Sequence, residues 1–362
     1  MLYKLQTHTQ QDNGHASLLE KRFCDTILLL TYNELDGHSK AQWLVQLEQI
    51  KDFITKKNIS LVIMDVSGEP SNLDYDHNGY CTTRRQMLNM LSVYCRTIII
   101  TDDWRYYYKP DKDIKFFSQG LWHQSQRNLH EYYTFQDTVY DTTIEKTKTL
   151  MCLNRNLEWH RIYLLYLLHQ NDWFPLVDYS FIMPLNDRLD HPDDLGRPAF
   201  TDEEISTLKK INLPIRLEGE INPAVGFTNG ASSVNLPVYE QNAINVVTET
   251  STTNNPGVCL TEKTAKAIMA YQIPILVSNR GASQWLEDVG IDMFSDYIPW
   301  QEWDLIQDDR KRIHAIANFI DITMRDPNKI LEEHRNFHPR LVANKQRFHS
   351  QEFGDLLIAQ IT

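Results

Sequence analysis

A charged pair, Glu262-Lys263, lies between two apolar stretches in the run GVCLTEKTAKAIMAYQIPILVSN over 257–279. Thr261 suits a helix N-cap, and Glu262 suits the first helical turn because the helix dipole is positive there. Lys263 is different, since a cation in the first turn opposes the dipole by roughly 0.3–1 kcal/mol. A bound anion would reverse that sign, because helix N–H groups and a lysine together hold phosphate. The alternative is a lysine that points into water.

Two segments in the first third of the chain carry other reactive or binding groups. The run WRYYYKPDKDIKFF over 104–117 interleaves tyrosines with basic residues. Arg105, Tyr107 and Lys109 are its candidates for binding an acceptor, that is, a substrate to which a chemical group is transferred. Aromatic faces stack on sugars or bases, and cations hold phosphates. A loop with half-buried tyrosines is the alternative interpretation. The triplet Asp-Tyr-Asp at 74–76 matches an Asp-x-Asp pattern whose carboxylates could hold a divalent cation, although such triplets are common by chance.

Four carboxylates follow buried strand-like runs and are candidates for a general base. Asp65 and Glu69 follow the apolar run ISLVIM, and Asp102 and Asp103 follow the apolar run RTIIIT. A carboxylate within hydrogen-bond reach can accept the proton of an attacking hydroxyl. An acidic residue at a strand end is also an ordinary turn former or N-cap. The choice among the four therefore stays open, with Glu69 and Asp102 preferred.

Strands and helices that position these residues alternate along the first half of the chain. Apolar runs typical of buried strands lie at 24–32, 59–66 and 96–104, with a shorter candidate at 114–120. Helical spacing of apolar residues over 41–58 and a helical pattern over 84–95 separate them. This order predicts a parallel sheet covered on both faces by helices.

A second alternating unit begins near residue 148. Its predicted strands are 149–153, 243–250 and 273–278, and its predicted helices are 160–173, 201–211, 261–272, 283–291 and 308–324. We expect an N-terminal Rossmann-like domain over 1–147, a second domain over 148–330 and helices over 331–362 that pack back on the first domain. Two such sheets would face each other across a cleft at the carboxyl ends of their strands, where ligands bind.

Composition limits the class of protein. A length of 362 residues favours two domains. The formal net charge of −12 argues against a general nucleic-acid binder, although a basic cluster lies at 334–349. No run approaches the roughly 18 apolar residues of a membrane span, and no leader pattern opens the chain. Five scattered cysteines without metal-ligand spacing indicate a reducing, cytoplasmic compartment: Cys24, Cys81, Cys95, Cys152 and Cys259.

The run VTET, a loop, LTEKTAKAIMAYQIPILVSN and a following Trp-Leu-Glu helix resemble the nucleotide-sugar-binding half of the alpha-1,3-fucosyltransferases. They are also similar to fucosyltransferase-like glycosyltransferases that are common in phage genomes. The resemblance covers about 149–297, with a loop-rich gap in the middle. It implies a GT-B fold with two Rossmann-like domains and a nucleoside-diphosphate sugar as donor, without an essential metal or cofactor.

The resemblance also implies roles for individual residues. Glu262 matches the glutamate that binds the ribose hydroxyls, and Lys263 matches the lysine beside ribose and phosphate. In NRNLEWHRIYLLYLL, Asn154 ends a strand and Arg161 matches the arginine that grips the pyrophosphate, for which its planar fork is suited. Arg155 is the rival for that role. A surface charge on an otherwise apolar helix is the alternative interpretation of Arg161.

The sequence departs from the family pattern at several positions. Glu249 aligns with the glutamate of the family's FEN segment, and Thr250 stands where that segment has asparagine. Thr261 opens the helix that carries the charged pair. The strand that follows ends in Val-Ser-Asn at 277–279 instead of Trp/Tyr-Gly. The donor sugar is therefore not fixed by the resemblance.

We expect an inverting glycosyltransferase that moves a sugar from a GDP- or UDP-linked donor to a hydroxyl. The acceptor is a glycan or, if the phage resemblance reflects origin, a hydroxymethylated base in DNA. One alternative is a metal-dependent GT-A enzyme that uses the triplet at 74–76. The other is a protein that binds nucleotide sugars without catalysis.

Overall fold

The computed structural model describes part of the chain, in two compact units. The described residues are 2–4, 27–31, 52–56, 58, 61–65, 96–101, 114–116, 145–154, 158–171, 173, 176–181, 199–213, 215, 217, 237–249, 252, 260–350 and 352–353. The first unit comprises 1–119 with 358–362, and the second comprises 120–357. The predicted domain boundary at 147 stays a prediction, because 117–144 lie outside the described residues.

The first unit contains a parallel five-stranded sheet in the order β1-β2-β3-β4-β5. Its strands are β1 Leu2–Lys4, β2 Ile27–Thr31, β3 Leu61–Asp65, β4 Arg96–Thr101 and β5 Ile114–Phe116. Three of them, β2 to β4, coincide with the continuous apolar runs of the sequence, as expected for strands of a parallel sheet. Asp65 ends the central strand, in register with Thr31 and Ile100.

The second unit contains a parallel four-stranded sheet in the order β7-β6-β8-β9. Its strands are β6 Lys148–Asn154, β7 Val177–Phe181, β8 Asn242–Thr248 and β9 Ile273–Val277. Every residue of β8 and of β9 is buried, as expected for central strands of a parallel sheet, although β8 includes the polar residues Asn242, Asn245 and Thr248. The α/β class and the parallel strands predicted for this unit are thus confirmed, and β7 is an additional strand.

Eight α-helices are described in the second unit, besides a 3₁₀ helix at Trp300–Glu302. They are α1 Trp159–Gln170, α2 Asp202–Leu208, α3 Pro237–Gln241, α4 Glu262–Met269, α5 Ala282–Asp288, α6 Asp309–Met324, α7 Pro327–Asn336 and α8 His338–Phe348. Side-chain caps define several starts: Thr201 and Glu204 form a capping box on α2, and Asp308 and Asp326 cap α6 and α7. Pro327 occupies the first turn of α7, where its missing N–H costs nothing.

The strand order creates a topological switch point between β6 and β8. After β6 the chain crosses to β7 on one side, and after β8 it crosses to β9 on the other side. Since parallel crossovers are right-handed, helices α1 and α4 lie on opposite faces of the sheet. Helix α1 contacts α6, and α4 contacts α8. A crevice at the carboxyl ends of β6 and β8 is the position where sheets of this type bind ligands.

The C-terminal helices belong to the second unit. Helix α7 contacts β6 and β8, and α8 contacts α4. Packing of this segment on the first domain stays a prediction for the residues after 353, which lie outside the described part of the chain. Among the described helices, none has both the length and the apolar character needed to cross a membrane.

Candidate functional site

The switch point is built on Asn154, the last residue of β6. Its side-chain oxygen accepts a hydrogen bond of 2.6 Å from the Thr248 hydroxyl at the end of β8. Its side-chain nitrogen donates to the Tyr179 hydroxyl on β7 and to the Cys152 sulfur, both at 3.3 Å. Asn154 is buried and ties three strands together at their carboxyl ends. Burial raises the pKa of Cys152 to about 12, so this thiol stays protonated near neutral pH.

Arg161 and His160 lie in the first turn of α1 and bond to the end of β8. The Arg161 guanidinium donates from Nη2 to the main-chain oxygens of Thr248 and Glu249, at 3.3 and 3.1 Å. His160 Nε2 lies 2.8 Å from the same Glu249 oxygen. Both side chains are buried, and burial lowers the pKa of Arg161 while Glu158 and Glu249 oppose that change. The Arg161 guanidinium is thus buried at the switch point, where its hydrogen bonds go to main-chain oxygens at the end of β8.

The Glu249 carboxylate is buried and is hydrogen bonded to the start of α4. Oε1 accepts from the Thr261 N–H at 3.0 Å and from the Thr264 N–H and hydroxyl at 3.3 and 2.5 Å. Oε2 accepts from the Thr261 hydroxyl at 2.6 Å. The relative exposure of Glu249 is 0%, which places the carboxylate beneath the surface of the site.

The first turn of α4 presents Glu262 and Lys263 as a contacting pair. Thr261 is the N-cap as predicted, and its hydroxyl oxygen accepts from the Lys263 N–H at 3.4 Å. The Lys263 ammonium donates to Glu262 Oε1 and to Thr261 Oγ1, both at 3.0 Å. The Lys263 and Glu262 side chains are 29% and 24% exposed. This pair is therefore the part of the turn that a ligand can reach.

These contacts correct the expected phosphate cradle of helix N–H groups. The N–H groups of Thr261, Lys263 and Thr264 already donate to oxygens of Glu249 and of the Thr261 side chain. Glu249 supplies the negative charge that the helix dipole favours. Lys263 also has anionic and hydroxyl partners, so its place in the first turn does not require a bound anion.

Lys266 is a further charged residue of α4 that the sequence interpretation missed. It is buried one turn after Glu262, and burial lowers the pKa of Lys266 to about 8, with Glu262 opposing that effect. Burial acts to raise the pKa of Glu262, but Lys263 and Lys266 outweigh it and the net shift is downward. The signal in the sequence was the spacing of four residues between Glu262 and Lys266, which places them on one helix face.

Arg312 of α6 binds Thr252, four residues after the end of β8. Its guanidinium donates to the main-chain oxygens of Thr252 and Ile306, each at 2.6 Å, and to Asp309 Oδ1 at 2.5 Å. Arg312 and Thr252 are both buried. Thr252 is thus held by Arg312, and Thr261, nine residues further along the chain, is held by Glu249. No sequence pattern pointed to Arg312.

Several predicted site residues lie outside the described residues. Among the donor-site candidates these are Arg155 and Thr250, and among the others they are Glu69, Asp102, Asp103, Arg105, Tyr107, Lys109 and the triplet 74–76. Asp65 is described only as the last residue of β3, at the carboxyl end of its sheet. Within the part of the chain that is described, no group of three or more His, Cys, Asp or Glu residues is placed to hold a metal ion. The roles assigned to these residues stay predictions.

Fold and site define a parallel α/β protein with a cluster of charged residues at the switch point of its second sheet. No family model matches the sequence, no curated protein matches it, and no solved structure matches the chain. The likeness to fucosyltransferases therefore depends on the sequence segments quoted above.

Proposed function

We propose that the chain is a glycosyltransferase that uses a nucleoside-diphosphate sugar as donor and a hydroxyl group as acceptor. In this proposal its two parallel-sheet units correspond to the two Rossmann-like domains of a GT-B enzyme. The transfer is inverting and requires no metal, and the GDP- and UDP-linked sugars are the first donors to test.

The observation that carries the proposal is the partly exposed Glu262–Lys263 pair at the switch point. A carboxylate accepts hydrogen bonds from two vicinal hydroxyls, and a neighbouring ammonium attracts phosphate. Ribose next to a phosphate offers those two features side by side. The position supports the same ligand class, since open parallel sheets bind nucleotides at the switch point. Arg161 is buried, interacts electrostatically with Glu262 and adds a positive charge to the site.

The first unit would supply the catalytic base in this scheme. Asp65 at the end of β3, and Asp102 directly after β4, follow neighbouring strands of that sheet. Glu69 and Asp103 lie close to them in sequence, and the base is proposed to be one of these four carboxylates. It would accept the proton of the acceptor hydroxyl as that oxygen attacks the anomeric carbon and the nucleoside diphosphate leaves.

The charges of the C-terminal helices favour a glycan acceptor over DNA. Arg335 pairs with Glu145, and Arg347 pairs with Glu352. Arg340 bonds to both Asp292 and Asp296. The basic cluster predicted at 334–349 is thus largely neutralised by carboxylates of the same chain, which weakens its attraction for phosphates.

A ligand screen followed by an activity assay tests the proposal. Thermal unfolding is measured with GDP, UDP and CDP and with their sugars, and a bound nucleotide is expected to raise the melting temperature. The best donor is then incubated with glycans and with hydroxymethylated DNA, with and without EDTA. Transfer that survives EDTA supports the proposal, whereas transfer abolished by EDTA supports the metal-dependent alternative. Binding without hydrolysis or transfer supports a non-catalytic protein, and absence of binding overturns the donor site.

A further inference from the structure

We propose that Glu249 is a positioning residue of the donor site, which acts on Lys263 through the hydroxyl of Thr261. The inference rests on the proposed function, because it concerns the same site. Glu249 is fully buried, so it would not touch the donor. Its effect on donor binding would come from the hydrogen bonds by which its carboxylate orients the first turn of α4.

The backbone of Glu249 is fixed on both sides. Its N–H donates to the main-chain oxygen of Val277 at 3.0 Å, which continues the pairing of β8 with β9. Its own main-chain oxygen lies 2.8 Å from His160 Nε2 and 3.1 Å from Arg161 Nη2. The carboxylate therefore starts from a rigid point at the end of the sheet, which limits the positions that its oxygens can take.

The Thr261 hydroxyl transmits this constraint. A hydroxyl has a single proton, and an ionised carboxylate can only accept. The contact of 2.6 Å between Thr261 Oγ1 and Glu249 Oε2 therefore directs that proton towards Glu249. The lone pairs of the same oxygen are left for Lys263, whose ammonium lies at 3.0 Å and whose N–H lies at 3.4 Å. The charge of Glu249 thus sets the direction in which Thr261 holds the Lys263 ammonium.

A glutamine at position 249 would disturb this arrangement with little change in size. The glutamine amide nitrogen can donate a hydrogen bond to Thr261 Oγ1, which would reorient the hydroxyl proton. That bond would occupy the lone pair that now accepts from the Lys263 ammonium. The variant Thr261→Val removes the hydroxyl and leaves the Glu249 carboxylate in place. Both variants should release the Lys263 ammonium from its present position. They provide two independent ways to break the same connection.

A double-mutant cycle on nucleotide binding tests the connection. Affinity for GDP, UDP and CDP is measured by calorimetry for the wild type, Glu249→Gln, Lys263→Ala and the double variant. We expect Glu249→Gln and Thr261→Val each to weaken binding of the preferred nucleotide by about tenfold. The double variant should bind within about twofold of Lys263→Ala, because Glu249 acts through Lys263. A purely structural role would not produce this loss of additivity.

Glu204 offers a matched control. It is also a buried glutamate that bonds to a threonine at a helix start, Thr201 of α2, and it pairs with Arg310. Glu204→Gln should lower the melting temperature and leave nucleotide affinity unchanged. If the preferred nucleotide binds Glu249→Gln and Thr261→Val as tightly as the wild type, or if the cycle is additive, the positioning role is overturned. If the wild type binds none of the three nucleotides, the proposed function fails first and this inference fails with it.

Discussion

The Glu249 carboxylate oxygen Oε1 accepts hydrogen bonds from both the main-chain N–H and the hydroxyl of Thr264, at 3.3 and 2.5 Å. The two residues are fifteen positions apart, one directly after β8 and the other in the first turn of α4. Their contact makes the end of a strand the anionic cap of the next helix. A charge from the chain itself thus occupies the helix N–H groups that the sequence had suggested for a bound phosphate, which leaves the Lys263 ammonium as the proposed phosphate contact.

Thr264→Val should destabilise the protein by about 2 kcal/mol. The substitution keeps the shape of the side chain and removes one donor from a buried, ionised carboxylate, for which hydrogen bonds are worth about 1.5–3 kcal/mol. Urea unfolding with an unchanged denaturant slope would measure the difference. Thr323→Val on α6 is the control, since that partly buried hydroxyl donates only to the main-chain oxygen of Phe319. Equal losses in the two variants would contradict the role given to Thr264.

Arg312→Ala should cost about 3–5 kcal/mol of unfolding free energy. Loss of this arginine leaves Asp309 without its buried cationic partner, and breaking one side of a buried ion pair has costs in that range. The matched control is Arg325→Ala near the other end of α6, whose pair with Asp321 is largely exposed. A loss of less than about 1 kcal/mol is expected there. Similar losses in both variants, measured by chemical denaturation, would refute the anchoring role of Arg312.

Local sequence patterns were sufficient to predict most of the strands and helices. Strands β2, β3, β4, β8 and β9 each have a predominantly apolar sequence, which is typical of buried parallel strands. Strand β7 was missed because Asp178 and Ser180 interrupt its five residues, which precede a stretch rich in Pro and Asp. Strand β1 has three residues, too few for any periodicity to be visible. The N-cap role of Thr261 depends on adjacent residues and was predicted correctly.

The contacts of the site could not be predicted because they join residues that are distant along the chain. Glu249 bonds to residues twelve and fifteen positions away, and Arg312 bonds to Thr252 sixty positions away. The carboxylate partners of the basic cluster at 334–349 were not predictable for the same reason. One of its carboxylate partners, Glu145, lies 190 positions before Arg335. The spacing of apolar residues indicates which face of a helix or strand is buried. It does not indicate which side chains of different helices and strands are in contact.

Stability should fall as the pH is lowered from about 6.5 towards 4, in part because of His334. Burial lowers the pKa of His334 to about 4, Lys146 adds to the shift, and the hydrogen bond to the Tyr271 oxygen opposes it. Between the unfolded value of about 6.5 and the folded value, the unfolded chain binds the extra proton, so acid favours unfolding. The full contribution is about 3 kcal/mol.

His334→Gln tests this contribution. The glutamine amide can still donate to the Tyr271 oxygen, which lies 2.7 Å from His334 Nε2, but it does not titrate in this range. Its unfolding free energy should therefore fall less than that of the wild type between pH 7 and pH 4.5. His314→Gln, at an exposed position on α6, should keep the wild-type pH dependence. A wild-type slope in His334→Gln would show that this histidine does not control acid stability.

Lys263→Ala should weaken binding of the preferred nucleoside diphosphate more than tenfold, because the proposed phosphate contact is the one charged contact that this side chain would make with the ligand. The matched control is Lys329→Ala, which removes an exposed lysine from the first turn of α7. The Lys329→Ala variant should bind as the wild type does and unfold within about 0.5 kcal/mol of it, as is usual for surface substitutions. Lys263→Ala should unfold within about 1 kcal/mol of the wild type, because it loses a partly exposed ion pair.

Arg161→Lys tests the buried cation of the same site and is compared with Lys263→Ala. Lysine keeps the positive charge but cannot reproduce the guanidinium bonds to the Thr248 and Glu249 oxygens, so stability should fall together with affinity. Lys263→Ala should instead lose affinity at nearly constant stability. Calorimetric titration and urea unfolding of the same samples separate the two effects. Wild-type affinity in both variants would exclude this corner of the sheet as the nucleotide site, because neither the Lys263 ammonium nor the Arg161 guanidinium would then be needed for binding.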